Sequence, residues 1–288
     1  MKRGDEKFKT ELFPTYHMSS VSISFIKWMI PLALVWGISY PLTKLVSYYS
    51  SPMLISFVRI LVGFIFFYLL ARGLSVGVKQ FINGLLNFVG LLTFLNLGVY
   101  LSPNPGLVAV MIYTQPLFIV IIEALLGSKV KIREVIGVLM GVIGITISAF
   151  FAFNIGLLVG LLGGLVWAGG TVYYRRFLLN EDLRKLNAFM ALSSLPVMAL
   201  ITPIGFYFNF SLYGIALLII LALLAQVGGF YFWFNAVKDL GSIRAGSGSL
   251  LVPVFAYVFS YIFFEQIPTT VEIIGSVITL LGVYITIR

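Results

Sequence analysis

Ten apolar stretches, each about as long as a bilayer is thick, occupy almost the whole chain after residue 25. A helix rises about 1.5 Å per residue, so about 20 residues cross the roughly 30 Å hydrocarbon core of a membrane. Helices are the expected spanning element because backbone polar groups find no water partners in lipid. The sequence therefore predicts an all-α membrane protein of ten transmembrane helices. The predicted spans are 26–47, 52–71, 80–101, 105–127, 134–152, 155–175, 186–207, 212–236, 244–264 and 269–287.

The composition excludes a water-soluble protein. Of 288 residues, 60% are apolar and 10% are charged, whereas an ordinary globular domain is about 45–50% apolar and about 25% charged. One globule cannot hide that much apolar surface, and the same numbers exclude disorder. Cysteine is absent and the single histidine, His17, lies in the polar N-terminal tail. The sequence therefore predicts no cofactor and no thiolate or histidine-rich metal site.

The basic residues are distributed unevenly along the chain. Of 19 lysines and arginines, 17 lie in the N-terminal tail, in alternate loops or at the C-terminus, which all fall on one side if every span crosses once. Because basic loops stay in the cytoplasm, we predict a cell-membrane protein with both termini cytoplasmic and residues 1–25 as a cytoplasmic tail. This topology explains the net charge of +9 without a nucleic-acid partner.

The chain contains an internal repeat. Residues 134–148 match residues 272–286 at an offset of 138, and Pro116 matches Pro253 at an offset of 137. LVWG at 34–37 matches LVWA at 165–168. The predicted halves, 26–152 and 153–288, have five spans each, and an odd number makes the second half enter the membrane from the opposite side. Inverted repeats of this kind are typical of secondary transporters.

These segments resemble the drug/metabolite transporter superfamily in its ten-helix, EamA-type branch. The resemblance rests on LVWGISYPLTK at 34–44, SPMLISFVRILVG at 51–63, and proline segments followed by Glu-x-x-Gly helices around Pro116 and Pro253. It implies two EamA-like repeats and a carrier, not an enzyme, that exports small metabolites such as amino acids. The acidic residue usual in the family is Glu265 in the second half, whereas Gly127 or Ser128 occupies that place in the first.

Three charged residues within predicted spans, where charge is costly and commonly functional, are candidates for transport. Lys44 lies near the outer end of span 1, where snorkelling is the alternative to a functional role. Arg59 lies deeper in span 2, as a structural anchor or as a partner for an anionic group such as a substrate carboxylate. Glu123 either pairs with Lys129 or another cytoplasmic base, or carries a proton as a buried carboxyl.

Uncharged polar and aromatic residues supply the other candidates for the substrate pathway. Amides bind polar ligands but also join helices, and mid-span aromatic residues line cavities or fill the core. We expect the pathway to lie between spans 1, 3, 4, 6, 8 and 9. Its candidate residues, besides Arg59, are Trp36, Tyr40, Asn96, Tyr113, Gln115, Trp167, Gln226 and Tyr257. Pro116 and Pro253 are candidate hinges, since proline frees a backbone carbonyl.

The predicted function is secondary-active or facilitative transport by alternating access, with a small-molecule substrate, the lipid bilayer and an optional proton as partners. Alternatives are a multidrug or other solute exporter of the same fold, and a membrane receptor or scaffold that moves no solute. A lipid-modifying enzyme would need His, Asp or Glu clustered at an interface, and the sequence has none. The sequence leaves the oligomeric state open.

Overall fold

The computed structural model describes residues 20–103, 105–149, 154–265 and 269–287. Within these ranges the first half of the chain forms five helices. They are α1 (Ser20–Val46), α2 (Pro52–Ala71), α3 (Val78–Leu101), α4 (Pro105–Leu125) and α5 (Ile132–Ala149). The predicted N-terminal tail lies outside the described residues up to position 19, and positions 20–25 belong to α1.

The second half forms five more helices in the described ranges. They are α6 (Ile155–Phe177), α7 (Leu183–Ile201), α8 (Leu212–Leu240), α9 (Ser242–Ser249 and Leu251–Phe264) and α10 (Thr270–Ile287). Side chains cap the starts of three of them. Asn154 accepts from a backbone N–H of α6, Asp182 does so for α7 and Ser211 for α8, which satisfies donors that a helix start leaves free.

The prediction of an all-α membrane protein is confirmed. In the described part of the chain, seven helices are long and apolar enough to cross a membrane: α1, α2, α3, α4, α6, α8 and α9. The remaining three, α5, α7 and α10, are 18 or 19 residues long. The only β-type pairing among these residues is a single bridge between Ser50 and Phe208.

The seventh helix corrects one predicted boundary. The apolar pattern predicted a span to residue 207, but α7 ends at Ile201. Pro203 lacks an N–H to continue the helix, and Gly205 adopts a φ of 63°, a left-handed conformation that suits glycine. The chain then runs across to the α1–α2 loop, where the backbone N–H of Ser51 donates to the carbonyl of Tyr207 at 3.0 Å.

The two halves share the same helix irregularities. The third helix of each half contains a π-helical segment, Leu85–Gly90 in α3 and Ala222–Gly229 in α8. The fourth helix of each half is interrupted, at Tyr113 and Thr114 in α4 and at Leu250 in α9. The breaks lie just before the matched prolines. Such irregularities often mark functional sites, and their recurrence supports the internal repeat.

Helices α5 and α10, the last of each half, pack closely through glycines. A Cβ atom on Gly137 would lie 2.6 Å from the carbonyl oxygen of Gly282, and one on Gly144 would lie 2.6 Å from that of Gly275. The sequence repeat makes Gly137 equivalent to Gly275 and Gly144 equivalent to Gly282, so the two contacts are reciprocal, as across a two-fold axis. The helices run antiparallel. This is the packing that an inverted repeat predicts.

Candidate functional site

A small cavity lies at the centre of the bundle, between the two halves. Its lining comes from α1, α2, α3, α4, α6 and α8. The lining residues are Trp36, Ser39, Tyr40, Arg59, Leu91, Leu92, Leu95, Ile112, Tyr113, Trp167 and Phe230. Five of the predicted pathway residues therefore meet in one place: Trp36, Tyr40, Arg59, Tyr113 and Trp167.

Arg59 is the charged group of this cavity. Its side chain comes from the middle of α2, and the residue is only 2% exposed. Its Nε and Nη1 atoms have no hydrogen-bond partner among the described residues, and it shares the cavity wall with the phenol groups of Tyr40 and Tyr113. A buried cation without a carboxylate partner is energetically costly, so the arrangement is suited to receiving an anion.

Aromatic rings form much of the remaining wall. Trp36 from α1 packs edge-on against Trp167 from α6, with ring centroids 5.3 Å apart. These two tryptophans are the pair that the sequence repeat matches, so they meet where the halves meet. Trp36 also contacts Phe230 at 5.6 Å, and Trp167 contacts Tyr113 at 5.5 Å. Aromatic pairs at such distances prefer this edge-to-face arrangement.

The π-helical segment of α8 helps to hold Trp36. The indole N–H of Trp36 donates to the carbonyl oxygen of Ala225 at 2.9 Å. The ring occupies the space where a side chain on Gly229 would lie, so only glycine fits there. The equivalent indole N–H of Trp167 has no acceptor among the described residues. One tryptophan is thus anchored, whereas the other retains a free donor in the cavity wall.

The cavity is too small to hold a metabolite in this conformation. The space open to the centre of a water molecule is about 20 Å³, which is room for about one water. A metabolite would need the surrounding helices to separate before it could enter. The structure therefore corresponds to a contracted form of the site.

Four predicted pathway residues do not line this cavity. Asn96 donates to the hydroxyl of Ser56 at 2.7 Å, and Gln115 donates to that of Thr171 at 3.0 Å; both amides join helices, as the structural alternative expected. Gln226 is fully buried against Gly63 of α2. Tyr257 lies on α9, which contributes no residue to the lining.

The lining corrects the expected set of helices, because α2 replaces α9 in it. Ser39, Phe230 and the leucines of α3 were not predicted from the sequence. Ser39 lies three residues after Trp36, on the same helix face, and this spacing was a usable signal. No sequence signal pointed to Phe230 or the leucines, since they resemble every other apolar residue of a span.

The interrupted helices contain the candidate hinges. Pro116 lies two residues after the break in α4, and Pro253 lies three residues after the break in α9. Neither proline can donate a backbone hydrogen bond to the turn before it. Gly246 of α9 packs against Pro116, so the two broken helices touch near their irregular points. A hinge role stays a prediction.

Glu123 belongs to a separate cluster at the end of the bundle that carries Lys129, Arg175 and Arg244, called the basic end below. Its side chain is 4% exposed, and its carboxylate lies 3.7 Å from both Arg175 and Arg176. The hydroxyls of Ser242 and Ser128 donate to it at 2.6 and 2.5 Å. The expected pairing with a base is present, but the bases are these arginines and not Lys129.

This cluster joins the two halves. Glu123 lies on α4 of the first half, whereas both arginines and Ser242 belong to the second. A second ion pair between the halves links Glu134 of α5 to Arg244 of α9 at 3.8 Å. The ion-paired residues Glu123, Glu134, Arg175 and Arg244 line a polar pocket at this end. Charged contacts therefore link the two halves at the basic end.

The opposite end is held by backbone contacts instead. The backbone N–H of Asn209 donates to the carbonyl of Tyr49 at 2.7 Å, joining the α7–α8 segment to the α1–α2 loop. Nearby, Lys44 donates to the carbonyls of Ser102 at 2.9 Å and Val99 at 3.4 Å. Lys44 thus binds the C-terminal end of α3, where a cation is favoured.

A family comparison covers nearly all of this fold. The model of the "EamA-like transporter family" matches residues 23–150 and 154–288. The chain belongs to the EamA-like transporter family. The protein is therefore a multi-pass membrane protein of a transporter family with a ten-helix fold, in agreement with the resemblance stated above.

Individual relatives extend along most of the chain. An "Uncharacterized transporter YvbV" of Bacillus subtilis (strain 168) is 26% identical over 271 residues, which cover 86% of each protein. A "Probable amino-acid metabolite efflux pump" of Escherichia coli (strain K12) is 22% identical and covers 89% of this chain and 92% of its own length. A solved crystal structure that is 20% identical gives a TM-score of 0.72 over 91% of this chain and 96% of that chain, which shows a shared fold.

Proposed function

We propose that this protein is a secondary-active or facilitative transporter that exports small metabolites such as amino acids by alternating access. The observation that carries the proposal is the small cavity between the halves, which holds a buried guanidinium without a carboxylate partner. Relatives named as amino-acid metabolite efflux pumps support the substrate class. In the proposed topology the basic end faces the cytoplasm, as do both termini.

The mechanism follows from which contacts close each end. At the basic end, charged side chains of the two halves hold each other, and at the opposite end backbone groups do so. Breaking one set while keeping the other opens the cavity to one side of the membrane only. If the halves are inverted copies, the two open forms have similar shapes, and transport needs no ATP site.

Glu123 is the candidate for proton coupling. Two arginines and two serine hydroxyls stabilise its carboxylate form, and a group that stays charged does not carry protons. These contacts favour a role in closing the basic end. Coupling to protons through Glu123 requires that the arginines leave it when that end opens.

A multidrug exporter of the same fold is the second candidate. The aromatic wall, with its edge-on ring contacts, would bind many flat apolar molecules. Arg59 argues for the narrower function, since neutral or cationic drugs would leave its charge without a partner. A receptor that binds the same ligand without moving it is the remaining alternative.

Flux from liposomes tests the proposal. Purified protein is reconstituted, loaded with labelled amino acids and other small metabolites, and assayed for efflux with and without a pH gradient. We expect saturable efflux of at least one carboxylate-bearing metabolite, and Arg59→Ala should reduce it about tenfold or more because a charged hydrogen bond to the ligand is lost. Saturable binding without movement across the whole panel would favour the receptor.

A further inference from the structure

The donors and acceptors of the central cavity are unbalanced. Arg59 presents a guanidinium whose Nε and Nη1 lack partners, and Trp167 presents an indole N–H without an acceptor. Guanidinium and indole N–H groups donate hydrogen bonds and cannot accept them. No Asp, Glu, Asn or Gln lines the cavity in the described part of the chain. A ligand that complements this wall is rich in acceptors.

Five acidic residues of the described structure are engaged away from the cavity. Along the chain from Glu123 to Asp239, all five acidic side chains already have polar partners near helix ends. They are Glu123 with Arg175, Glu134 with Arg244, Glu181 with Gln80, Asp182 with Arg184, and Asp239 with Trp28. A ligand ammonium group would find no carboxylate in the cavity wall and would lie beside Arg59.

The aromatic faces compensate an ammonium group only weakly. Cations bind over exposed ring faces, but the rings here contact one another. Trp167 packs against Trp36, Tyr113 and Trp233, with centroids 4.7 to 5.5 Å apart. The rest of the wall combines the hydroxyl-bearing Ser39 and Tyr40 with Phe230 and with leucine and isoleucine side chains, and the apolar ones suit an apolar ligand body.

We propose that the cavity prefers a small organic monoanion, a carboxylate with an apolar body and no ammonium group, which Arg59 and Trp167 bind by donating hydrogen bonds to the carboxylate. This inference rests on the proposed transport function and narrows its substrate class. The ligand carboxylate supplies the charge that the buried guanidinium lacks, and bonds between charged partners are the strong ones. A zwitterionic amino acid brings the same carboxylate together with a like charge close to Arg59, which is unfavourable.

Three ligands that share a phenyl ring on a two-carbon chain test the preference. Labelled 3-phenylpropionate, L-phenylalanine and 2-phenylethylamine carry an anion, a zwitterion and a cation, respectively, at pH 7.5. Binding to the purified full chain in nanodiscs avoids passive leakage of weak acids across liposomes. We expect 3-phenylpropionate to bind about tenfold more tightly than L-phenylalanine, with 2-phenylethylamine weakest. Equal or tighter binding of either amine-bearing ligand overturns the proposal.

Variants assign the effect to the cavity. Arg59→Gln should weaken binding of 3-phenylpropionate about tenfold or more and leave 2-phenylethylamine binding unchanged or tighter. Trp167→Phe removes the indole donor and should weaken the carboxylate severalfold. Arg184→Gln is the matched control, since Arg184 lies at the start of α7 and pairs with Asp182. If Arg59→Gln does not fold, the three-ligand comparison on the unaltered protein decides.

The outcomes separate this inference from the transport function. Saturable efflux of L-phenylalanine together with equal binding of both acids overturns the anion preference and leaves transport standing. Tight binding of 3-phenylpropionate that depends on Arg59, without efflux of any metabolite, supports the site and contradicts transport.

Discussion

Two ionisable residues in the spans have different surroundings, and the difference decides what each can do. Arg59 is buried in a largely aromatic wall and has no carboxylate partner among the described residues, whereas Glu123 is buried among two arginines and two serines. A charge without partners attracts a ligand, and a charge with partners stabilises a contact. Sequence position alone made both of them candidates for transport, and only the neighbouring side chains distinguish them.

Neutralising Glu123 should loosen the basic end. In Glu123→Gln the serine contacts can persist, but attraction to Arg175 and Arg176 is lost. Because those arginines are 43% and 34% exposed, the loss is closer to that of a surface pair, roughly 1 kcal/mol, or about fivefold in the opening equilibrium. The chain has no cysteine, so a cysteine introduced as Ser39→Cys is the one site that a maleimide can label. Its reaction rate in inside-out vesicles should rise about fivefold when Glu123→Gln is added.

Glu265→Gln is the matched control for that experiment, because Glu265 is exposed at the end of α9, away from the basic end. The same reaction rate in both variants would contradict the closing role of Glu123.

The same two variants also test proton coupling. Loss of a pH-gradient effect on efflux in Glu123→Gln alone would favour a proton carrier.

At the scale of elements, the contact between α5 and α10 holds the two halves together. The helices approach so closely that glycine carbonyl oxygens of one helix face glycine Cα atoms of the other. Small residues allow such approach in membranes, where packing and not water exclusion drives helix association. The reciprocal spacing of the four glycines in the sequence repeat is the pattern that this contact requires.

Adding one methyl group at this contact should destabilise the protein. In Gly282→Ala the new Cβ would lie 2.5 Å from both the carbonyl oxygen of Gly137 and the backbone nitrogen of Gly141. Backbone atoms cannot rotate away, so we expect a loss of about 1–3 kcal/mol, measured as a lower unfolding temperature in detergent. Gly169→Ala on α6 is the control, because no atom lies within 4 Å of its added Cβ. This variant should keep the unfolding temperature of the unaltered protein. Equal stability of both variants would argue against the close packing.

At the scale of the whole molecule, the halves touch at both ends and along the central cavity. Charged contacts join the halves at the basic end, and backbone hydrogen bonds join them at the other. Each set can break independently of the other because they lie on opposite sides of the cavity. Transport by alternating access needs two sets of contacts that break separately, whereas a scaffold does not.

Single cysteines should report the two faces of the membrane. Tyr48→Cys at the opposite end and Lys129→Cys at the basic end both occupy exposed positions. With the basic end in the cytoplasm, an impermeant maleimide added to intact cells should label only Tyr48→Cys. Permeabilised cells should label both. Labelling of Lys129→Cys in intact cells would reverse the proposed orientation and, with it, the direction of export.

The sequence by itself determined the class of fold, since ten apolar stretches of spanning length leave helices in lipid as the stable solution. It also identified Arg59, because a charge in mid-span is rare, and Trp36 and Trp167, because the internal repeat matches them. Tyr40 and Tyr113 were named with them as amphipathic aromatic residues. These signals are local, as a hydropathy pattern or a buried charge is visible within a single helix.

Only the tertiary structure decided which polar groups meet. The rotation and approach of each helix set whether Asn96 or Gln115 faces a cavity or a neighbouring hydroxyl, and the sequence of one span does not contain that information. The same packing brought α2 into the lining in place of α9 and gave Glu123 its arginine partners. Helix formation depends on nearby residues, whereas a site depends on contacts between helices that are far apart in the chain.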